Sequence, residues 1–170
     1  TGVLAAEELG WGDLTAGLAV MAPAAYALPI LVAGTEEQKK ALLPPVVEGD
    51  WKPYVSAFVE PNLDFAPAEM RTTAARSNGS YVLNGVKTMV PFAAQAAGLL
   101  VYASLDGKTQ AFVVPPGSAG LKVGDREGWC GLNALPTHRL TLERVKVPAD
   151  ARLGGESGHD AQLLIAATQT

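Results

Sequence analysis

Apolar positions recur at helical spacing up to about residue 50 and then alternate over short runs from Trp51 onward. VLAAEELG is a short amphipathic helical piece closed by Gly10 and Gly12. Asp13 or Thr15 caps the Ala-rich helix that follows, because a short polar side chain can accept from a first-turn amide. The apolar run LTAGLAVMAPAAYALPILVAG is interrupted by Pro23 and Pro29, so it reads as a buried helix and not as a membrane span. Thr35-Glu36-Glu37-Gln38 is a capping box, in which the Thr35 hydroxyl serves one orphan amide and the Gln38 side chain another. The helix it starts stops near Leu43, since Pro44 and Pro45 cannot continue the hydrogen-bond ladder. Glu48-Gly49-Asp50 marks a boundary.

The runs VSAFV, TTAARS, SYVL, VKTMV, GLLVYASL, TQAFVVP, LKVG and HRLTLERVKVP read as strands between Gly, Asn, Asp and Pro. Asn84-Gly85, between YVL and VKT, suits the φ > 0 positions of a two-residue hairpin turn. Arg144 shifts the alternation of Leu140, Leu142, Val145 and Val147, which predicts a turn or a bulge. Strands this closely spaced, with no helix between them, predict an antiparallel barrel or sandwich. A Gly-rich loop follows Pro148, and Asp160 can cap a final helix over 161–170. The fold class is mixed α and β multidomain: helices, a β-domain, then the start of another helical region.

Composition narrows the function classes. With 48% hydrophobic and 18% charged residues over 170 positions, the chain can bury a core. Its formal net charge of -4 gives no electrostatic ground for a nucleic-acid partner. Cys130 is the single cysteine and forms no internal disulfide, consistent with a cytoplasmic location. TGVLAAEELGWGD has neither an initiator Met nor a signal-peptide pattern and reads as mid-helix, so the chain reads as a fragment. His138 and His159 make no ligand-spaced metal cluster, and no GxSxG, Walker or GxGxxG motif is present. Glu60, Glu69 and Glu127 read as solvated or structural acids, Cys130 as a small buried residue, and Trp11, Trp51 and Trp129 as packing residues.

The order of motifs carries more than any one of them. EELGWGD, GTEEQKKALLPPVVEGDW, VEP, MRTTAARSNGSYVLNGVKT and VKVPADARLGGESGHD follow one another along the chain. In that order and spacing they resemble the acyl-CoA dehydrogenase family. The resemblance implies the C-terminal part of an N-terminal helical domain over 1–50 and a central β-domain over 51–150. Residues 151–170 would be the linker and first turns of a C-terminal helical bundle. It also implies an oxidoreductase of fatty-acid and lipid metabolism that dehydrogenates an acyl-CoA thioester at the α,β bond, with hydride transfer to FAD. Such enzymes are homo- or hetero-tetramers that pass electrons to an electron-transfer flavoprotein or another acceptor. The family's base is a Glu of the C-terminal bundle, which would lie beyond Thr170, so no catalytic residue is assigned.

The cofactor-binding positions carried over are Ser56, Phe58, Val59, Met89, Val90 and Pro91, with Phe65 at a substrate-binding position. Several depart from the family's pattern. Val59 stands for a flavin-bonding Thr, Met89-Val90-Pro91 for Trp-Ile-Thr, and Asn62 and Asp64 for loop glycines. Phe65 stands for a Ser, and Asn133-Ala134-Leu135 for Arg-x-Ser. Val59 keeps an amide donor but no hydroxyl, and Pro91 has no amide at all. An altered flavin loop in an active dehydrogenase is the first reading. A cofactor-poor scaffold subunit of a heterotetrameric acyl-CoA dehydrogenase is the alternative.

Overall fold

The computed structural model describes residues 2–159; the helix expected over 161–170 lies outside them. Helix α1 (Gly2–Ala33) contains one non-helical residue, Asp13 (φ -155, ψ 106), where two helical pieces meet. Asp13 Oδ1 accepts from the Thr15 and Ala16 amides at 2.8 and 3.1 Å, so Asp13 is the cap. Pro23 and Pro29 lie inside the helix without breaking it, so the helix expected over this run forms. Each forfeits one i→i−4 bond, and burial of Tyr26, Pro29 and Ile30 against the β-domain offsets that cost. By length and composition alone α1 is apolar enough to cross a membrane, a test that the core helix of a soluble protein also passes; 28% of its most apolar window is buried, less than the buried helix expected.

Helix α2 (Glu36–Leu42) carries the expected capping box: Thr35 Oγ1 accepts from the Gln38 amide at 3.2 Å and Gln38 Oε1 from the Thr35 amide at 3.0 Å. Pro44 and Pro45 end it and open the short α3 (Pro44–Val47), where a missing amide costs nothing.

Among the described residues seven strands follow: β1 (Tyr54–Ala57), β2 (Thr73–Ser77), β3 (Ser80–Pro91), β4 (Gly98–Leu105), β5 (Lys108–Val114), β6 (Leu121–Arg126) and β7 (Thr137–Pro148). They form one sheet in the order β1-β4-β2-β3-β7-β6, with β5 on β4. Most pairs are antiparallel as expected, but β1 and β2 both run parallel to β4, so the sheet is mixed.

The hairpin expected at Asn84-Gly85 is not there. SYVL and VKT belong to one strand, β3, which passes through both residues. The turn sits at the chain's other Asn-Gly pair, Asn78-Gly79 (φ 44 and 70), which joins β2 to β3 with Ser77 opposite Ser80. Gly85 instead lies against Thr72: a Cβ there would come within 2.6 Å of the Thr72 Cα. Opposite it, Arg144 (φ 55) forms the β-bulge that its phase shift predicted, and Asn84 Oδ1 accepts the Arg144 amide at 2.8 Å.

Two apolar clusters organise the interior. One is the β-domain core, including Val55, Leu83, Val90, Val101, Phe112 and Leu140. The other joins Tyr26 and Ile30 of α1 to Leu100, Tyr102 and Leu153, with Phe58 and Phe65 packed against it.

Candidate functional site

Where α1 meets the sheet, small side chains leave space. Ala22 and Ala25 on the helix, with Met21, face Pro91 at the end of β3 across two adjoining cavities. One, of about 490 Å³, has Ser56, Phe58 and Tyr102 on its sheet side. The other, of about 520 Å³, has Met89, Trp129, Leu132 and Leu135. Four of the predicted cofactor positions, Ser56, Phe58, Met89 and Pro91, therefore converge on one apolar groove.

The others are placed differently. Val90 is 1% exposed and points into the β-domain core. Val59 gives its carbonyl to the Thr88 amide at 2.9 Å. Phe65 packs edge-on against Phe58 (centroids 5.4 Å), which in turn meets Tyr102 edge-on at 5.0 Å. Burial in this cluster pushes the Tyr102 hydroxyl up to about 12. The loop carrying Phe65 is tied to itself: Asp64 takes Arg71 through both oxygens at 3.0 Å, and Asn62 donates to Asp64 at 3.0 Å.

Met89 reaches the groove because β3 is bulged. Thr88 and Met89 together face the single residue Arg139 of β7, and Met89 adopts φ 56, a left-handed conformation that costs a non-glycine residue about 1 kcal/mol. Glu127 holds it there: its carboxylate accepts the Met89 amide at 2.8 Å and the Thr88 hydroxyl. Next along, Phe92 (φ 52) gives its amide to the Pro136 carbonyl at 2.8 Å. Trp129, 43% exposed, is fixed by an indole hydrogen bond to Thr137 Oγ1 at 2.8 Å. It lines the groove, a role its neighbours in the sequence did not signal. Trp11 is 92% exposed and Cys130 is exposed too, so neither is the buried packing residue expected.

Next to Phe58 in the interior is an ion pair in which Lys87 Nζ stands 2.9 Å from Glu60 Oε1, both side chains at most 2% exposed. The ammonium also donates to the Phe58 carbonyl at 3.1 Å. Glu60 accepts the Arg71 and Thr72 amides at 2.8 Å each. Burial alone would raise the Glu60 carboxyl; hydrogen bonds from Thr72, Lys87 and Arg71 outweigh it and lower the group to about 2. Burial pulls the Lys87 ammonium down to about 8 against the opposing pull of Glu60. Of the two readings left open for Glu60, solvated or structural, the buried pair gives the structural one, and Lys87 is a residue that sequence reasoning passed over.

Comparison with known proteins bears on this geometry. Residues 1–50 match the model of the acyl-CoA dehydrogenase N-terminal domain, and residues 56–145 that of the middle domain. The human mitochondrial short-chain specific acyl-CoA dehydrogenase is 34% identical over 157 residues, which cover 89% of this chain and 38% of that one. The short-chain specific acyl-CoA dehydrogenase of Megasphaera elsdenii is 34% identical over 91% of this chain and 42% of its own. The chain thus spans well under half the length of these relatives. Among solved structures, butyryl-CoA dehydrogenase from Megasphaera elsdenii superposes with a TM-score of 0.83 at 31% identity, covering 98% of this chain and 44% of that one. Glutaryl-CoA dehydrogenase from Mycobacterium smegmatis in complex with FADH2 superposes with a TM-score of 0.80 at 32% identity, covering 91% and 41%. With both domain models matched in order and the fold reproduced, the chain belongs to the acyl-CoA dehydrogenase family.

Proposed function

We propose that the full-length protein is an FAD-dependent acyl-CoA dehydrogenase with an altered flavin loop, acting at the α,β bond of an acyl-CoA thioester. The observation that carries the reading is the coincidence of Ser56, Phe58, Met89 and Pro91, picked out by motif, on the walls of one groove. Their fit to a flavin is uneven but adequate. The apolar walls suit the ring's hydrocarbon body, and among the described residues the Ser56 hydroxyl and Val59 amide carry no hydrogen bond, leaving both for its polar edge. FAD, when bound, supplies the hydride acceptor. The chain's own part is to exclude water with Phe58, Met89 and Trp129 and to orient the ring from Ser56 and Val59. Phe65, which packs against Phe58, is the residue proposed to meet the substrate.

The partners proposed are an acyl-CoA substrate, sister subunits in a homo- or hetero-tetramer, and an electron-transfer flavoprotein or other acceptor. One relative supports the last: the caffeyl-CoA reductase-Etf complex subunit CarC of Acetobacterium woodii is 35% identical over 131 residues, covering 74% of this chain and 34% of its own. The domain limits 1–50, 51–150 and 151–170 and a cytoplasmic location belong to the same reading. Its test is turnover by the full-length protein of a series of acyl-CoA thioesters with an artificial electron acceptor. The expected product is the thioester lighter by two hydrogens; no such product from any thioester refutes the activity.

A specific observation favours the scaffold-subunit reading as second. The Met89 and Phe92 amides are used within the chain and Pro91 has none, so this stretch presents few donors to a flavin. A colourless protein that gains activity only with a partner chain is its signature.

A further inference from the structure

Of the two segments that wall the groove, one follows β1 and the other lies in β3, and they meet over one buried ion pair. From the β1 side, residues 58–60 bring Phe58 to the wall; from β3, residues 87–91 bring Met89 and Pro91. Lys87 Nζ has three protons to donate, and three acceptors surround it: Glu60 Oε1 at 2.9 Å, the Phe58 carbonyl at 3.1 Å and Met70 Sδ at 3.5 Å. The Val59 carbonyl, between the two anchored residues, takes the Thr88 amide at 2.9 Å. Glu60 closes the loop as well, because its two oxygens accept the Arg71 and Thr72 amides and return Phe65 to Phe58.

A buried ion pair is a poor way to gain stability, since desolvation of both charges cancels most of the attraction. Apolar side chains of the same volume would serve the core as well. What they would not do is fix a carbonyl, a carboxylate and two amides at set distances. We propose that Lys87 and Glu60 are positioning residues: their ion pair clamps segment 58–60 to segment 87–91 and so sets the shape of the ligand groove. The clamp rests on the flavoenzyme reading only for the identity of the ligand it serves.

The test uses the full-length protein with Lys87→Met, which keeps the length of the side chain and removes the charge and donors. Amide hydrogen exchange and FAD titration are read side by side. The expected result is about tenfold faster exchange at Arg71, Thr72 and Thr88, with the β4–β5 ladder unchanged, and about tenfold weaker FAD binding. Lys122→Met, which breaks the exposed pair with Glu143, should change neither. If Lys87→Met does not fold, Glu60→Gln keeps an acceptor for Lys87 and should give the same changes at smaller size. Unchanged exchange at those three amides overturns the clamp. Faster exchange with unchanged FAD affinity makes the pair merely structural and overturns the positioning role. Absence of FAD binding by the unaltered protein refutes the flavoenzyme reading instead, and the exchange comparison alone then decides the clamp.

Discussion

Glu60 responds to pH with a sign that follows from its shift. Glu60 is lowered to about 2 from an ordinary 4.5. A depressed carboxyl stabilises the fold above its unfolded value and loses that contribution as pH falls through the folded one. As pH falls from 4.5 towards 2 the protein should therefore lose stability attributable to this residue, measured by denaturant unfolding across that range. In Glu60→Gln that part of the acid loss should be absent; an unchanged acid arm would mean the carboxylate is not held as described. Glu127 makes a second residue-scale case. Among the described residues it is the acceptor of both the Met89 amide and the Thr88 hydroxyl at the bulge, so Glu127→Ala should cost about 2 kcal/mol by the same measurement. Neither role was legible in the sequence. A Glu in VEP and a Glu in DREGW look alike until tertiary contacts bury one and aim the other at a bulged strand.

At the level of elements, short-range chemistry read well and partner choice did not. The capping box, the bulge at Arg144 and the change from helix to strand at Trp51 all depend on neighbours in sequence, and all are present. The two Asn-Gly pairs show the limit. Both are flanked by strand-like runs, so turn propensity alone cannot choose between them. The choice falls to Asn78-Gly79 because Gly85 is needed where β3 crosses Thr72, a contact no local pattern reveals. Substitution separates the two glycines. Gly79 (φ 70) has open space around its missing Cβ, so Gly79→Ala should cost about 1 kcal/mol for backbone strain alone. Gly85→Ala adds a backbone clash at 2.6 Å and should cost about 3 kcal/mol. Equal losses in thermal or denaturant unfolding would contradict this assignment of the turn. The parallel pairing of β1 and β2 with β4 was hidden for the same reason, being set by chain crossings and not by alternation.

Across the whole molecule, Gln38 links the helical and β parts. Its Nε2 donates to the Asp150 and Arg152 carbonyls at 2.7 and 2.8 Å, while Oε1 accepts the Thr35 and Gly154 amides at 3.0 and 3.1 Å. Thr35→Ala removes a single cap bond and should cost about 1 kcal/mol. Gln38→Ala strips four bonds and should cost about 3 kcal/mol, with the helical and β signals unfolding at separate midpoints. A single shared midpoint would show that other contacts suffice to join them. Family and fold were open to sequence because motif order survives in EELGWGD, GTEEQK and VKVP. The groove was only half open to it: Ser56, Phe58, Met89 and Pro91 were found by alignment to motifs, whereas Trp129, Glu127 and Lys87 enter through folding alone. The central claim, that this altered groove still serves a flavin dehydrogenase, is tested most directly by the visible spectrum of the full-length protein purified without added FAD. A flavin spectrum from a homo-oligomer, bleached anaerobically by an acyl-CoA, is the predicted result. A colourless homo-oligomer that takes up no FAD would contradict it.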